Sequence, residues 1–187
     1  MDTWIWIVIA LAVIAVVAAV LVLGGRKRRT SHLQSRFGSE YDRTIEQKGD
    51  RAEAESELLD RERRYEDLDI RPLSEAARER YGDEWEHVQA RFVDDPEGAV
   101  AAADRLVQQV MSERGYPTAD DFERRAADVS VDYPDVVENY REGHGLWDRY
   151  SRGDGAGQTE DLRQAMVHFR LLFEELLVGD RVEQEAR

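Results

Sequence analysis

The chain contains no cysteine, which excludes disulfides, thiolate metal sites and cysteine nucleophiles in one step. That usage agrees with a reducing compartment. Proline is scarce, with four in 187 residues, and none interrupts a convincing helical repeat. Histidine is equally scarce. His32, His87, His144 and His168 never fall into a His-Glu-x-x-His or comparable ligand spacing, so no metal site is expected. Gly-x-Ser-x-Gly, the serine nucleophile motif, is absent. Positive charge is in deficit: 26 Lys and Arg against 40 Asp and Glu leave a net charge of −14. Nucleic-acid phosphates repel such a surface, so DNA and RNA are excluded as partners. Strand-like alternation is missing as well.

One long apolar run is present. Thr3 to Leu23 carries no charge and is followed by Arg26, Lys27, Arg28 and Arg29. At about 1.5 Å per residue a helix over this run spans roughly 31 Å, the thickness of a bilayer core. A cleaved signal peptide has basic residues before a shorter run, whereas here the only charge before the run is Asp2. The run is therefore expected to be an uncleaved transmembrane helix. Trp4 and Trp6 would stand at the outer interface, Leu23 at the inner end and Gly24-Gly25 at the helix stop. The basic collar Arg26–Arg29 should stay in the cytoplasm and attract anionic headgroups. Ala15 and Ala19 form a small-xxx-small pair that admits a homo-oligomer through the anchor.

Beyond the collar the apolar pattern is helical throughout. Leu33, Phe37, Tyr41 and Ile45 recur every four residues, with an interruption expected near Gly38. Gly49 stops this helix and Asp50 with Glu53 resembles a capping box for the next, Arg51 to about Leu68, whose narrow stripe reads as one half of a hairpin. Ile70-Arg71-Pro72-Leu73 is extended. Ser74 then caps a helix with Tyr81, Trp85, Val88 and Phe92 inward. Asp95-Pro96 opens another, with Val100, Ala103, Leu106, Val107, Val110 and Met111 inward, and Gly115 stops it. Thr118 with Asp121 caps a short helix bearing Phe122, Ala126 and Val129. Pro134 opens a helix with Val136, Val137, Tyr140, His144, Trp147 and Tyr150 inward. Thr159 caps the last, with Leu162, Met166, Phe169, Phe173 and Leu176 inward, and Gly179 ends it. The loop Gly153–Gly157 between them lacks a P-loop lysine and follows a helix. An EF-hand counted from Asp148 fails at Thr159, so the loop reads as a connection.

The best polar grouping is Tyr140, His144 and Asp148, one turn apart on one helix face, where a carboxylate could hold a histidine base. Helical spacing produces such pairs routinely, and an interfacial histidine within a helical core is the simpler reading. The aromatic residues fit a core better than a cofactor pocket, so no cofactor and no catalytic residue is expected.

Four segments, Arg36-Phe37-Gly38-Ser39-Glu40-Tyr41-Asp42-Arg43-Thr44, Gln89-Ala90-Arg91-Phe92-Val93-Asp94-Asp95-Pro96, Arg114-Gly115-Tyr116-Pro117 and Val136-Val137-Glu138-Asn139-Tyr140-Arg141, resemble those of a family of uncharacterised bacterial proteins with an acidic helical domain, often behind a membrane anchor. The resemblance runs from Leu33 to Leu177. It implies a single domain and brings no activity with it.

The expected protein is all-α: a single N-terminal transmembrane helix and a cytoplasmic bundle of about six or seven helices. Residues 1–25 are the anchor, 26–31 the collar and linker, 32–178 the acidic domain (hairpin 32–69, bundle 74–178) and 179–187 a charged tail. The expected function is an inner-membrane protein, N-terminus outside, that presents a protein-interaction domain to the cytoplasm and is not an enzyme. The competing expectation is a membrane-tethered helical enzyme or small-ligand-binding domain using Tyr140, His144 and Asp148.

Overall fold

The described residues of the computed structural model contain seven α-helices and no strand. The backbone is described for residues 3–117, 121–153 and 158–185, and the side chains for residues 4, 11, 24–117, 121–153 and 159–178. The helices are α1 (Thr3–Lys48), α2 (Arg51–Glu66), α3 (Glu75–Arg91), α4 (Pro96–Arg114), α5 (Phe122–Val129), α6 (Val137–Ser151) and α7 (Gln158–Glu185). Two compact units share the chain, Met1–Leu58 and Leu59–Arg187. The division falls inside α2 and not at the extended Ile70–Leu73 segment.

In the first unit, Gly24-Gly25 does not end the helix; α1 continues through the collar. A helical glycine costs only about 1 kcal/mol, and the Arg-Lys-Arg-Arg that follows is a strong helix former. The collar is thus a helical segment and not a linker, and Gly24 to Arg29 are all exposed. Gly38 breaks the helical dihedrals at φ 48°, ψ −124°, where the sequence placed an interruption. Leu33, Phe37, Tyr41, Ala54 and Leu58 are buried. Gly49 at φ 67° turns the chain, and the Asp50 carboxylate accepts from the Glu53 amide at 2.8 Å, one half of the capping box.

Among the described residues no helix is long and apolar enough to cross a membrane. The run Thr3–Leu23 belongs to α1, but apart from exposed Trp4 and Leu11 its side chains lie outside the described residues, Trp6, Leu23, Ala15 and Ala19 among them.

The second unit is built on α3, α4, α6 and α7. Ser74 accepts from the Ala77 amide at the start of α3, and Asp95 from the Gly98 amide at the start of α4, with Pro96 in its first turn. Gly115 closes α4 in the left-handed region at φ 98°, and a side chain there would lie 2.2 Å from the Asp69 carbonyl oxygen. Only glycine meets both demands. The expected inward faces of α3, α4 and α7 enter one core, where Trp85 stacks on Phe173 at 4.4 Å. Gly143 lets α6 approach α7, because a Cβ there would stand 3.0 Å from His168 Cβ.

Three helix boundaries differ from expectation. Pro134 sits in a turn before α6, which starts at Val137 with no side-chain cap. Gly179 does not end α7, which runs to Glu185 through the stretch expected to be a tail. Thr159 lies within the first turn of α7. Asp121 caps α5, accepting from the Glu123 amide; Thr118 and residues 154–157 lie outside the described residues.

Candidate functional site

Two buried polar clusters stand out, one in each unit. The first gathers on Glu55, whose carboxylate has little exposed surface but is not deep. Its Oε1 accepts from Thr30 Oγ1 at 2.7 Å and from the Tyr41 hydroxyl at 3.0 Å. Arg51 lies 3.4 Å and Arg29 3.8 Å from its two oxygens, and Arg51 Nε also donates to the Tyr41 oxygen at 3.0 Å. A straight helix would set the Cα atoms of Thr30 and Tyr41 about 16 Å apart. Their convergence on one oxygen therefore depends on the break at Gly38. Burial pushes the Glu55 carboxyl up, but the Thr30 and Tyr41 hydrogen bonds and the Arg51 and Arg29 charges outweigh it and leave it below the usual glutamate range. Of the collar, Arg29 is thus drawn onto the protein.

The second cluster is built from α4, α5 and α6. Tyr140 and His144 stand one turn apart on α6, and Phe122 of α5 covers both: its ring stacks on the His144 imidazole at 3.7 Å and 7° and meets Tyr140 at 4.8 Å. The charges of Asp104 on α4 and Arg125 on α5 act on the same two groups. Asp104 Oδ2 accepts from Gln108 at 2.8 Å. Its Oδ1, the Tyr140 hydroxyl and His144 Nδ1 are all buried and have no hydrogen-bond partner among the described residues. Burial raises the Asp104 carboxyl, offset only in part by His144 and Arg125. Burial lowers the His144 imidazole, against the pull of Asp104. Burial and the Asp104 charge push the Tyr140 hydroxyl up to about 12, although the Arg125 guanidinium, outside good hydrogen-bond geometry, pulls it back.

The structure brings Tyr140 and His144 together but does not join Asp148 to them. Asp148 pairs instead with Arg152 one turn on. It lines an open groove of about 620 Å³ between α6 and α7 with Glu142, Arg149, Arg152, Gln164 and His168. There His168 Nδ1 meets Asn139 Oδ1 at 3.1 Å and Nε2 meets Glu142 at 3.3 Å. No group of three or more His, Asp or Glu able to hold a metal occurs among the described residues.

The acid whose charge acts on His144 is Asp104, which the sequence reading passed over. A signal for it existed. Val100, Ala103, Asp104, Val107 and Met111 follow the i, i+3, i+4, i+7, i+11 rule of one buried stripe. Arg125 likewise falls within the Phe122, Ala126, Val129 stripe. A third network was also missed: Tyr65 and Tyr116 both donate to Asp132 Oδ2, the first at 2.7 Å, while buried Arg114 donates to the Leu176 carbonyl at 2.8 Å and to Tyr133. Burial raises the Tyr116 hydroxyl far above its ordinary value. This network ties the end of α4 to α7 and reads as structural.

No family model matches the chain, and no curated protein or solved structure matches it either. The resemblance of the four sequence segments therefore adds nothing to the site.

Proposed function

We propose that this is a single-pass inner-membrane protein, N-terminus outside, that holds an acidic helical domain in the cytoplasm to bind another protein near the membrane. The observation that supports this is the continuity of α1. One helix runs from the uncharged Thr3–Leu23 segment through four exposed basic residues to Thr30, and there Arg29 and Thr30 meet Glu55 of α2. Consecutive helical residues point about 100° apart, so the collar surrounds the helix with positive charge at the depth of the headgroups. On α7, Val167, Leu171 and Val178 are exposed at i, i+4 and i+11, an apolar stripe available to a partner. Oligomerisation through the anchor is compatible with the same arrangement.

Topology is tested with a reporter active only in the cytoplasm, fused after Arg187. Activity is expected; silence, or release of the chain from membranes at alkaline pH, overturns the reading. A photo-crosslinker at Leu171 in cells should trap one discrete protein adduct that a crosslinker at exposed Glu86 does not.

A further inference from the structure

We propose that the groove between α6 and α7 binds an elongated zwitterion of the ω-amino acid type, a small molecule with an ammonium group at one end, an apolar middle and a carboxylate at the other. The site lies within the second unit and rests on neither the anchor nor the partner reading.

The groove holds about 620 Å³, within the range of small-molecule clefts, about 300–1,000 Å³. Its α6 wall is laid out in order along one face. Glu142, Gly145, Leu146 and Arg149 follow the i, i+3, i+4, i+7 spacing and so share a stripe. Acid, apolar floor and base succeed one another, and Glu142 and Arg149 are two turns apart, about 10.5 Å along the axis. Gln164 and His168 form the α7 wall.

The charges left open select the guest. Asp148 and Arg152 also line the groove, but they pair with each other. Glu142 meets His168 Nε2 at 3.3 Å and no lysine or arginine among the described residues. Arg149 is exposed and makes no ion pair among the described residues. A simple anion at Arg149 shares the groove with the Glu142 charge, and a simple cation at Glu142 shares it with Arg149. A molecule that carries both signs at that spacing gains at each end, and the guanidinium fork suits a carboxylate.

Gly145 supplies an independent observation. A glycine inside a helix is less stable than alanine. Gly143 has a packing reason, the close approach of His168. Gly145 has none, because a Cβ there would meet nothing within 4 Å. A side chain at this position would enter the groove. Glycine keeps the middle of the groove open, at a cost in helix stability.

The test uses the full chain in mild detergent at low salt, where exposed charges are least screened. The probe is ω-aminooctanoate. Its amide keeps only the cation, its N-acetyl derivative keeps only the anion, and ω-aminobutanoate keeps both on a shorter chain. The His168 imidazole resonances, assigned by their loss in His168→Phe, are followed by NMR. The probe is expected to shift them saturably and to bind about threefold more tightly than each comparator, the effect of one exposed ion pair. Arg149→Gln should remove the preference over the amide, and Glu142→Gln the preference over the N-acetyl derivative. Gly145→Leu should leave resistance to urea equal or higher yet abolish saturable binding. If Gly145→Leu fails to fold, the two charge variants carry the test. Shifts that never saturate, equal affinity for either blocked comparator, or unchanged binding in folded Gly145→Leu overturn the proposal.

Discussion

Glu55 and Asp104 are both covered carboxylates on amphipathic helices, yet their surroundings are opposite. Glu55 receives two hydroxyls and two guanidinium groups, and its charge is stabilised. Asp104 receives one amide, keeps an oxygen without a partner and is pushed towards its neutral form. A satisfied buried network fixes a conformation, whereas an incomplete one is costly and persists where something else completes it. The first cluster is therefore a structural clasp beside the collar, and the second leaves polar atoms of Asp104, Tyr140 and His144 buried without a partner among the described residues.

The largest test of this contrast removes the clasp. Glu55→Ala removes the acceptor of the Thr30 and Tyr41 hydroxyls and the carboxylate beside Arg29 and Arg51, and should lower stability by about 2 kcal/mol, read from urea unfolding; a loss within error would overturn the clasp. A matched pair of phenols sharpens the comparison. Tyr41→Phe deletes a made hydrogen bond and should cost about 1 kcal/mol, whereas Tyr140→Phe deletes an unmade one and should cost under about 0.5 kcal/mol. Equal losses would contradict the difference between the two sites.

Asp104→Asn, which relieves a buried charge, should leave stability unchanged or raise it by under about 1 kcal/mol. The pH dependences run in opposite directions. Glu55 is depressed in the fold, so its contribution is present above the ordinary glutamate value, about 4.3, and is lost as pH falls through its lower folded value. Asp104 is raised, so the folded protein gains relative stability as pH falls from its raised value towards about 3.9. Glu55→Gln should thus flatten the acid loss of urea resistance and Asp104→Asn should steepen it. His144, lowered in the fold, adds a smaller loss beginning as pH drops below about 6.5, which His144→Phe should abolish.

Helical class, the caps at Ser74 and Asp95 and the stop at Gly115 were legible because each depends on neighbours within one turn. The stops placed at Gly24-Gly25 and Gly179 failed for the same reason in reverse: a glycine with ordinary helical geometry costs too little to end a helix set between strong formers. The pairing of His144 with Asp148 looked natural along one helix, but Arg152 on the same helix takes Asp148 at the surface. Asp104 occupied a core position of its own stripe, so its burial was legible while its companion was not.

By itself the sequence determined the all-helical class, the acidic net charge, the absence of thiol chemistry, and an uncharged run with a basic collar. All of these follow from composition and from contacts a few residues apart. Only the tertiary structure decided that Glu55 is satisfied across the Gly38 break and that the Asp104 charge, from α4, acts on Tyr140 and His144 of α6. Those meetings join residues tens of positions apart, and no helical period encodes which distant face will arrive opposite a given side chain.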